Sequence, residues 1–271
     1  MADVMFEPLV GGFTFVTGGG TKTAIKLSRP WQVTLPIVPE KCPFCTKPRE
    51  EISLPNLPAG WRLLWNLFTP HRRHRLAIPS TCWDAKTLQT LGGFAGIREA
   101  LEVFRLAIKE DHGVEMATFV HVGQCAGQNL GHAHWHIMEV RVKEALAVGH
   151  FAPELLVSRN DMLDIVAAGA RTGECLIVPR TKTSFDECVE AIAASLEWII
   201  TRGNKKFLSS EGRLPEFIAA VRIGANGQFR YADYCPILNM WGGTEYIFAP
   251  LEGGPVTLLW PHELTAQHLR G

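Results

Sequence analysis

The feature that most constrains the fold of this chain is a set of three histidines at alternate positions within a short apolar run. The run covers residues 131–138 and places the histidines at His132, His134 and His136. Alternate side chains of a β-strand point to the same face, so we expect the three imidazoles side by side, about 7 Å apart. Imidazoles grouped in this way are difficult to bury without partners, which predicts a chemical role for the strand.

A glycine- and amide-rich loop leads directly into the histidine strand. Gly123 and Gly127 allow backbone N–H groups to approach an anion closely. Gln128 and Asn129 add side-chain donors to the same loop. Such a loop suits a phosphate group and the charge that develops on it during reaction. These features favour His134 as a nucleophile toward phosphorus over a site in which all three histidines bind a metal.

The neighbouring imidazoles are expected to assist this nucleophile. His132 and His136 would orient the central ring and bind phosphate oxygens. His136 can also carry a proton near neutral pH, so it could protonate a leaving atom or activate water. His121, on the preceding predicted strand, is a candidate contact to a ribose or phosphate.

Cys42 and Cys45 form a second chemical signal, a Cys-Pro-Phe-Cys segment. Two cysteines three positions apart on a turn can present both thiolates to one metal ion, and zinc takes four ligands. A redox motif of this kind opens a helix after a strand, whereas prolines surround this one, which favours a metal. The missing ligands would come from four candidates elsewhere: His71, His74, Cys82 and His132.

Composition limits the classes of partner and the compartment. The 27 basic and 27 acidic residues give zero formal net charge, which does not predict a basic surface for nucleic acid. Neither a signal peptide nor an apolar run long enough to span a membrane is apparent, so we expect no membrane partner. Seven cysteines, an odd number spread along the chain, favour thiols in a reducing cytoplasm over a disulfide framework.

The hydrophobic pattern predicts an α+β fold. Besides the histidine strand, which is expected to continue to Val142, strands are expected at five places: 61–68, 74–78, 118–122, 219–223 and 244–249. Helices are expected at two: 97–109 and 184–200. A Leu-Ala-Ile-Pro segment at 76–79 is echoed by Leu-Ile-Val-Pro at 176–179, each ahead of a helix. This echo indicates a duplicated α+β unit.

Together these residues resemble the histidine-triad superfamily and, within it, the galactose-1-phosphate uridylyltransferase branch. The cysteine pair matches the N-terminal Cys-x-x-Cys of that branch, and His74 stands five residues before Pro79 as its pattern requires. Four residues fall in register with the long pattern of the catalytic strand: Gly123, Gly127, His132 and His134.

The resemblance implies two tandem histidine-triad-like halves with antiparallel sheets and packed helices. Residues 1–150 would be the catalytic half with a zinc site, and residues 151–271 a degenerate half that serves as scaffold and substrate wall. His134 would form a covalent nucleotidyl-histidine with a nucleotide or nucleotide-sugar substrate. Asn66 stands on a segment that resembles the family's base- or ribose-contacting strand. Members of the superfamily are often dimers, so a homodimer is one expectation.

The resemblance also implies a single structural zinc. Its four ligands would be Cys42, Cys45, His74 and His132. In the zinc-bearing hydrolases of the superfamily the third ligand instead follows the Ile-Pro by three residues, which is Cys82 here. The choice between His74 and Cys82 stays open.

Three departures from the transferase pattern bear on the reaction. His136 replaces a glutamine, His121 an asparagine and Asn129 a serine. An imidazole at position 136 favours a hydrolase or phosphorylase, while transfer to another acceptor stays open. Two further alternatives are a nucleotide-binding protein with weakened catalysis and a metalloenzyme that uses the triad as ligands.

Overall fold

One antiparallel β-sheet, of nine strands among the described residues, carries most of the fold in the computed structural model of the protein. A separate sheet contains β1 (Val4–Leu9) and β2 (Gly12–Thr17). The structure describes these residues: 4–9, 12–17, 40, 42–46, 51–66, 73–80, 95–109, 111, 113–123, 126, 128, 132–140, 151–168, 173–208, 216–237 and 262–271.

The first part of the chain contributes one half of the large sheet. Its four strands are β3 (Trp61–Trp65), β4 (Arg75–Pro79), β5 (Met116–Val122) and β6 (Trp135–Glu139). A short helix, α1 (Pro43–Thr46), carries the second cysteine of the pair. Helix α2 (Ala95–Ile108) precedes β5, and its buried residues recur at the helical spacing seen in the sequence.

The second part contributes the other half of the sheet. Its five strands are β7 (Leu156–Arg159), β8 (Leu163–Ala167), β9 (Cys175–Pro179), β10 (Phe217–Ile223) and β11 (Phe229–Pro236). Its helical segments are a 3-10 turn (Pro153–Leu155), α3 (Phe185–Gly203), a π-helical turn (Asn204–Leu208) and α4 (His262–Arg270). The strand predicted at 244–249 lies outside the described residues.

The strands follow the order β3-β4-β6-β5-β10-β11-β9-β8-β7, and every neighbouring pair is antiparallel. At the centre, β5 pairs with β10 from Val122 opposite Phe217 to Met116 opposite Ile223. This pair joins the strands of the first part to those of the second. We call it the seam.

The two sides of the seam repeat one strand arrangement. On one side Leu76 of β4 pairs with His136 of β6, and on the other Leu176 of β9 pairs with Asp233 of β11. Both β4 and β9 are fully buried and end at a proline. The echo seen in the sequence therefore corresponds to two equivalent strands, and the predicted fold of tandem halves with antiparallel strands is confirmed.

The two faces of the sheet have different surroundings. Helices α2, α3 and α4 pack on one face, where Trp135 and Ile137 join the largest core. Side chains alternate between faces along a strand, so His136 points to the opposite face. There Leu76 and Ile78 pack against Cys42 and Phe44 in a smaller cluster. None of the helices in the described ranges combines the length and apolarity needed to cross a membrane.

Helix α3 begins with a capping box formed by Ser184 and Glu187. The Glu187 N–H donates to Ser184 Oγ at 3.3 Å, and the Ser184 N–H donates to Glu187 Oε2 at 3.0 Å. We expect Ser184→Ala to lower the free energy of unfolding by about 1 kcal/mol, because the Glu187 N–H loses its acceptor. Urea denaturation measures this, with exposed Lys182→Ala as the control. An unchanged midpoint for Ser184→Ala would contradict the expectation.

Candidate active site

His134 lies just before β6, and a backbone carbonyl holds its ring. The Nδ1–H of His134 donates a hydrogen bond of 2.8 Å to the carbonyl oxygen of His132. Because a carbonyl can only accept, the neutral ring carries its proton on Nδ1 and a lone pair on Nε2. The Nε2 atom is therefore in the state that attack on phosphorus requires.

The surroundings of His134 keep it uncharged at neutral pH. Burial of the ring, which is 7% exposed, is the main cause that lowers the pKa of His134 to about 4. The hydrogen bond to the His132 carbonyl raises this pKa in part, and the charges of His121 and His132 lower it. An uncharged imidazole is the nucleophilic form.

We expect the His134 ring to titrate near pH 4 in the folded protein, because burial disfavours its charged form. NMR titration of isotope-labelled histidines measures this. The His268→Ala spectrum identifies the resonance of His268, which serves as a control ring outside the site. The unfolded ring takes up its proton near pH 6.5. The contribution of His134 to stability is therefore complete above pH 6.5 and falls as the pH drops toward 4. A His134 midpoint near 6.5 would contradict this.

His136, on β6, completes a row of imidazoles. Its ring stacks on Phe119 of β5, with centroids 4.7 Å apart and planes 8° apart. The His134 ring lies 4.9 Å from the His136 ring, and the His121 ring lies 5.9 Å from it. The structure therefore brings three of the predicted site histidines together on one face of the sheet.

His74 belongs to this row as well. Its Nε2 lies 2.8 Å from Nδ1 of His136, so one ring donates a proton to the other. The Asn66 side-chain amide lies 3.2 Å and 3.3 Å from the two ring nitrogens of His74. Asn66, predicted to contact a base or ribose, thus contacts His74. The pair of His74 and His136 can hold and move a proton beside His134.

Cys42, Cys45 and His132 form a group that could hold a metal ion, with ligand atoms within 4.8 Å of one another. The two Sγ atoms lie 3.3 Å and 3.5 Å from Nδ1 of His132. Tetrahedral zinc bonds of about 2.0–2.3 Å place ligand atoms roughly 3.5 Å apart, so the spacing fits. The Nε2–H of His132 donates to the carbonyl of Pro79 at 2.8 Å, which directs the Nδ1 lone pair at the cysteines.

This candidate metal-binding group differs from the predicted ligand set. His74, predicted as a ligand, is not a member of it and contacts His136 instead. The alternative ligand Cys82, like His71, lies outside the described residues. Of the triad only His132 joins the group, whereas Nδ1 of His134 is bonded to a carbonyl and Nδ1 of His136 lies beside His74.

Gln128 closes the loop before the histidines. Its Oε1 accepts a hydrogen bond of 2.8 Å from the Gly123 N–H, and its own N–H donates to the Gly123 carbonyl at 3.1 Å. Gln128 is almost fully buried, so it holds the shape of the loop through these bonds. Gly127 and Asn129, the other predicted donors of this loop, lie outside the described residues.

Two aromatic residues of the site were missed by sequence reasoning. The Phe44 ring lies 5.4 Å from the His132 ring and 5.7 Å from the His134 ring. Phe119 stacks on His136 as described above. Sequence signals existed for both: Phe44 stands between the two cysteines, and Phe119 precedes His121 by two residues on the same strand face.

Comparison with known proteins gives structural likeness only. No family model and no curated protein matches the chain in sequence. An ADP-glucose phosphorylase from Arabidopsis thaliana with bound ADP-glucose is 14% identical, with a TM-score of 0.61 over 100% of this chain and 98% of that one. A uridylyltransferase is 14% identical, with a TM-score of 0.59 over 98% and 97% of the two chains. A yeast Ap4A phosphorylase is 16% identical, with a TM-score of 0.53 over 90% and 80%.

These likenesses extend over most or all of each chain, although few residues are identical. They agree with the repeated strand arrangement on the two sides of the seam. The chain therefore has the fold of the galactose-1-phosphate uridylyltransferase-like proteins of the histidine-triad superfamily.

Proposed function

We propose that the protein is a nucleotidyltransferase, hydrolase or phosphorylase that acts on the α-phosphate of a nucleotide through a covalent nucleotidyl-histidine at His134. The observation that carries the proposal is the hydrogen bond from Nδ1–H of His134 to the carbonyl of His132. It leaves Nε2 with a free lone pair, and burial keeps the ring uncharged. The likeness to nucleotide-handling enzymes supports the class of substrate.

The reaction would proceed in two displacements. In the first, Nε2 of His134 forms a bond to the α-phosphorus, and the bond from phosphorus to the leaving oxygen or nitrogen breaks. His136 gives a proton to that leaving atom and can draw on His74. In the second, an acceptor gives its proton to His136 and attacks phosphorus, so that the bond to His134 breaks. Backbone N–H groups of the loop would stabilise the charge on the phosphate oxygens, except those of Gly123 and Gln128, which are donated within the loop.

We propose that the metal is a single structural zinc held by Cys42, Cys45 and His132 with a further ligand. Zinc would supply a rigid tetrahedral anchor. Two cysteines and a histidine are zinc donors, and their spacing supports this assignment. His132 connects the anchor to the reaction, because its carbonyl oxygen orients His134.

We further propose that residues 1–150 are the catalytic half and residues 151–271 a degenerate half. The strand pairing on the two sides of the seam supports this, because Asp233 stands where the first half has His136. Tyr231, two residues before it, correspondingly stands where the first half has His134. We also propose a reducing, cytoplasmic setting, because an odd number of cysteines spread along the chain favours thiols over a disulfide framework. A homodimer remains a prediction from the resemblance.

Intact-protein mass spectrometry tests the proposed function directly. The protein is incubated briefly with nucleotide sugars, dinucleoside polyphosphates and nucleoside phosphoramidates. We expect an added nucleotide mass that is lost in acid, as a phosphorus–nitrogen bond requires. No adduct and no turnover with any compound would favour a nucleotide-binding protein instead.

A second experiment identifies the acceptor. The isolated adduct is mixed with water alone, inorganic phosphate or a sugar phosphate, and the release of nucleotide is followed over time. Rapid release in buffer alone indicates a hydrolase. Release that requires inorganic phosphate indicates a phosphorylase. Release that requires the sugar phosphate indicates a transferase.

A further inference from the structure

Glu216 is an acidic residue of the second part of the chain that lies against the loop of the first. It directly precedes β10, and its carbonyl oxygen accepts a hydrogen bond of 2.8 Å from the Ile237 N–H. A Cβ atom placed on Gly123 would come within 2.3 Å of Glu216 Cγ and 2.9 Å of Cδ. The acidic side chain therefore occupies the space that Gly123 leaves by having no side chain.

The side chain of Glu216 is on the histidine face of the sheet. Ile218 pairs with His121 across the seam, and alternation places Glu216 on the same face as Ile218. Gly123 follows His121 by two residues, which corresponds to about 7 Å along a strand. The His121 ring is itself 5.9 Å from the His136 ring. A nucleotide bound at His134 would therefore bring its sugar groups within reach of Glu216.

The carboxylate of Glu216 has an unused acceptor. Its Oε2 is buried and has no hydrogen-bond partner among the described residues. The adjacent Gly123 N–H is already donated to Gln128 Oε1 at 2.8 Å. A buried acceptor without a donor is unfavourable, so a ligand that brings a donor is bound more tightly than one that does not.

The chemistry of the substrate identifies the donor. Phosphate oxygens are negatively charged acceptors, so a carboxylate repels them. The hydroxyl groups of a ribose or a hexose are neutral donors. We propose that Glu216 is a specificity-determining residue that accepts a hydrogen bond from a sugar hydroxyl of the substrate. The inference rests on the proposed function, since it needs a nucleotide at His134.

Ligand binding tests this role without turnover. Dissociation constants are measured by calorimetry for ADP-glucose and UDP-glucose, and for analogues with deoxyribose or deoxyglucose in place of each sugar. We expect the native protein to bind one class of deoxy analogue about 10- to 100-fold more weakly than the parent compound. Glu216→Gln, which keeps the shape but not the charge, should reduce this ratio to a few-fold. The analogue that loses its penalty identifies the sugar.

Glu197→Gln is the matched control, because Glu197 lies on α3, which packs on the opposite face. It should keep the native ratio. Equal ratios for the native protein and Glu216→Gln, or no binding of any of these compounds, would overturn the role of Glu216. If the adduct forms at His134 but the ratio of the two dissociation constants, deoxy analogue to parent, is the same in the native protein and in Glu216→Gln, only the role of Glu216 is overturned. Absence of the adduct, with the ratios as expected, overturns only the covalent mechanism.

Discussion

Replacing His134 by alanine is expected to abolish the nucleotide adduct and to lower kcat by about 10⁴-fold or more, as loss of a covalent nucleophile does. The reason is that Nε2 of His134 carries the lone pair that would bond to phosphorus. Intact mass and steady-state turnover of the same preparation measure both effects.

Two further variants sharpen this test. His134→Gln retains hydrogen-bonding groups but has no ring nitrogen, so it should be as inactive as His134→Ala. His268→Ala removes a histidine that packs on Phe207 and should leave adduct and turnover unchanged. Turnover that survives in both His134 variants would show that another group carries the reaction.

Replacing Cys42 by serine is expected to empty the metal site and to slow adduct formation by about 10- to 100-fold, as loss of a supporting shell does. The buried Cys42 thiol is one of the described candidate ligands, and it packs with Phe44. Without the metal, His132 loses one of its anchors, although its bond to Pro79 remains, and its carbonyl orients the His134 ring less firmly. Zinc content by atomic emission and the rate of adduct formation are the two readouts.

Cys235→Ser is the matched control, because Cys235 is equally buried but is not part of the metal-binding group. It should keep the native zinc content. Exhaustive chelation of the native protein should reproduce the Cys42→Ser rate, and added zinc should restore it only in the native protein. A Cys42→Ser protein with full zinc content would contradict the ligand assignment.

Patterns within a single segment could be predicted from the sequence. Alternation of the histidines implied neighbouring rings, and the rings of His134 and His136 are 4.9 Å apart. The strand itself begins only at Trp135, because His132 and His134 are held by individual hydrogen bonds to Pro79 and to the chain itself. Local spacing does not reveal such contacts.

Contacts between distant segments could not be predicted in the same way. The position of His74 before Pro79 located it on the chain, but its partner depends on how β4 aligns with β6. That register places Leu76 opposite His136, so His74, two residues away on the same face, lies diagonally beside His136 rather than at the cysteines. The Glu216 contact depends on the pairing of β5 with β10, for which the sequence carries no motif.

The seam also determines whether the protein can be divided. All seven residues of β5 pair with β10, so the first part alone would present β5 as a bare edge with unpaired backbone groups. An edge of this kind is a template for pairing with another chain and for aggregation. The first part of the chain, which carries the histidine site, is therefore not expected to be stable and soluble by itself. The two parts of the chain depend on one another to cover the facing edges of β5 and β10.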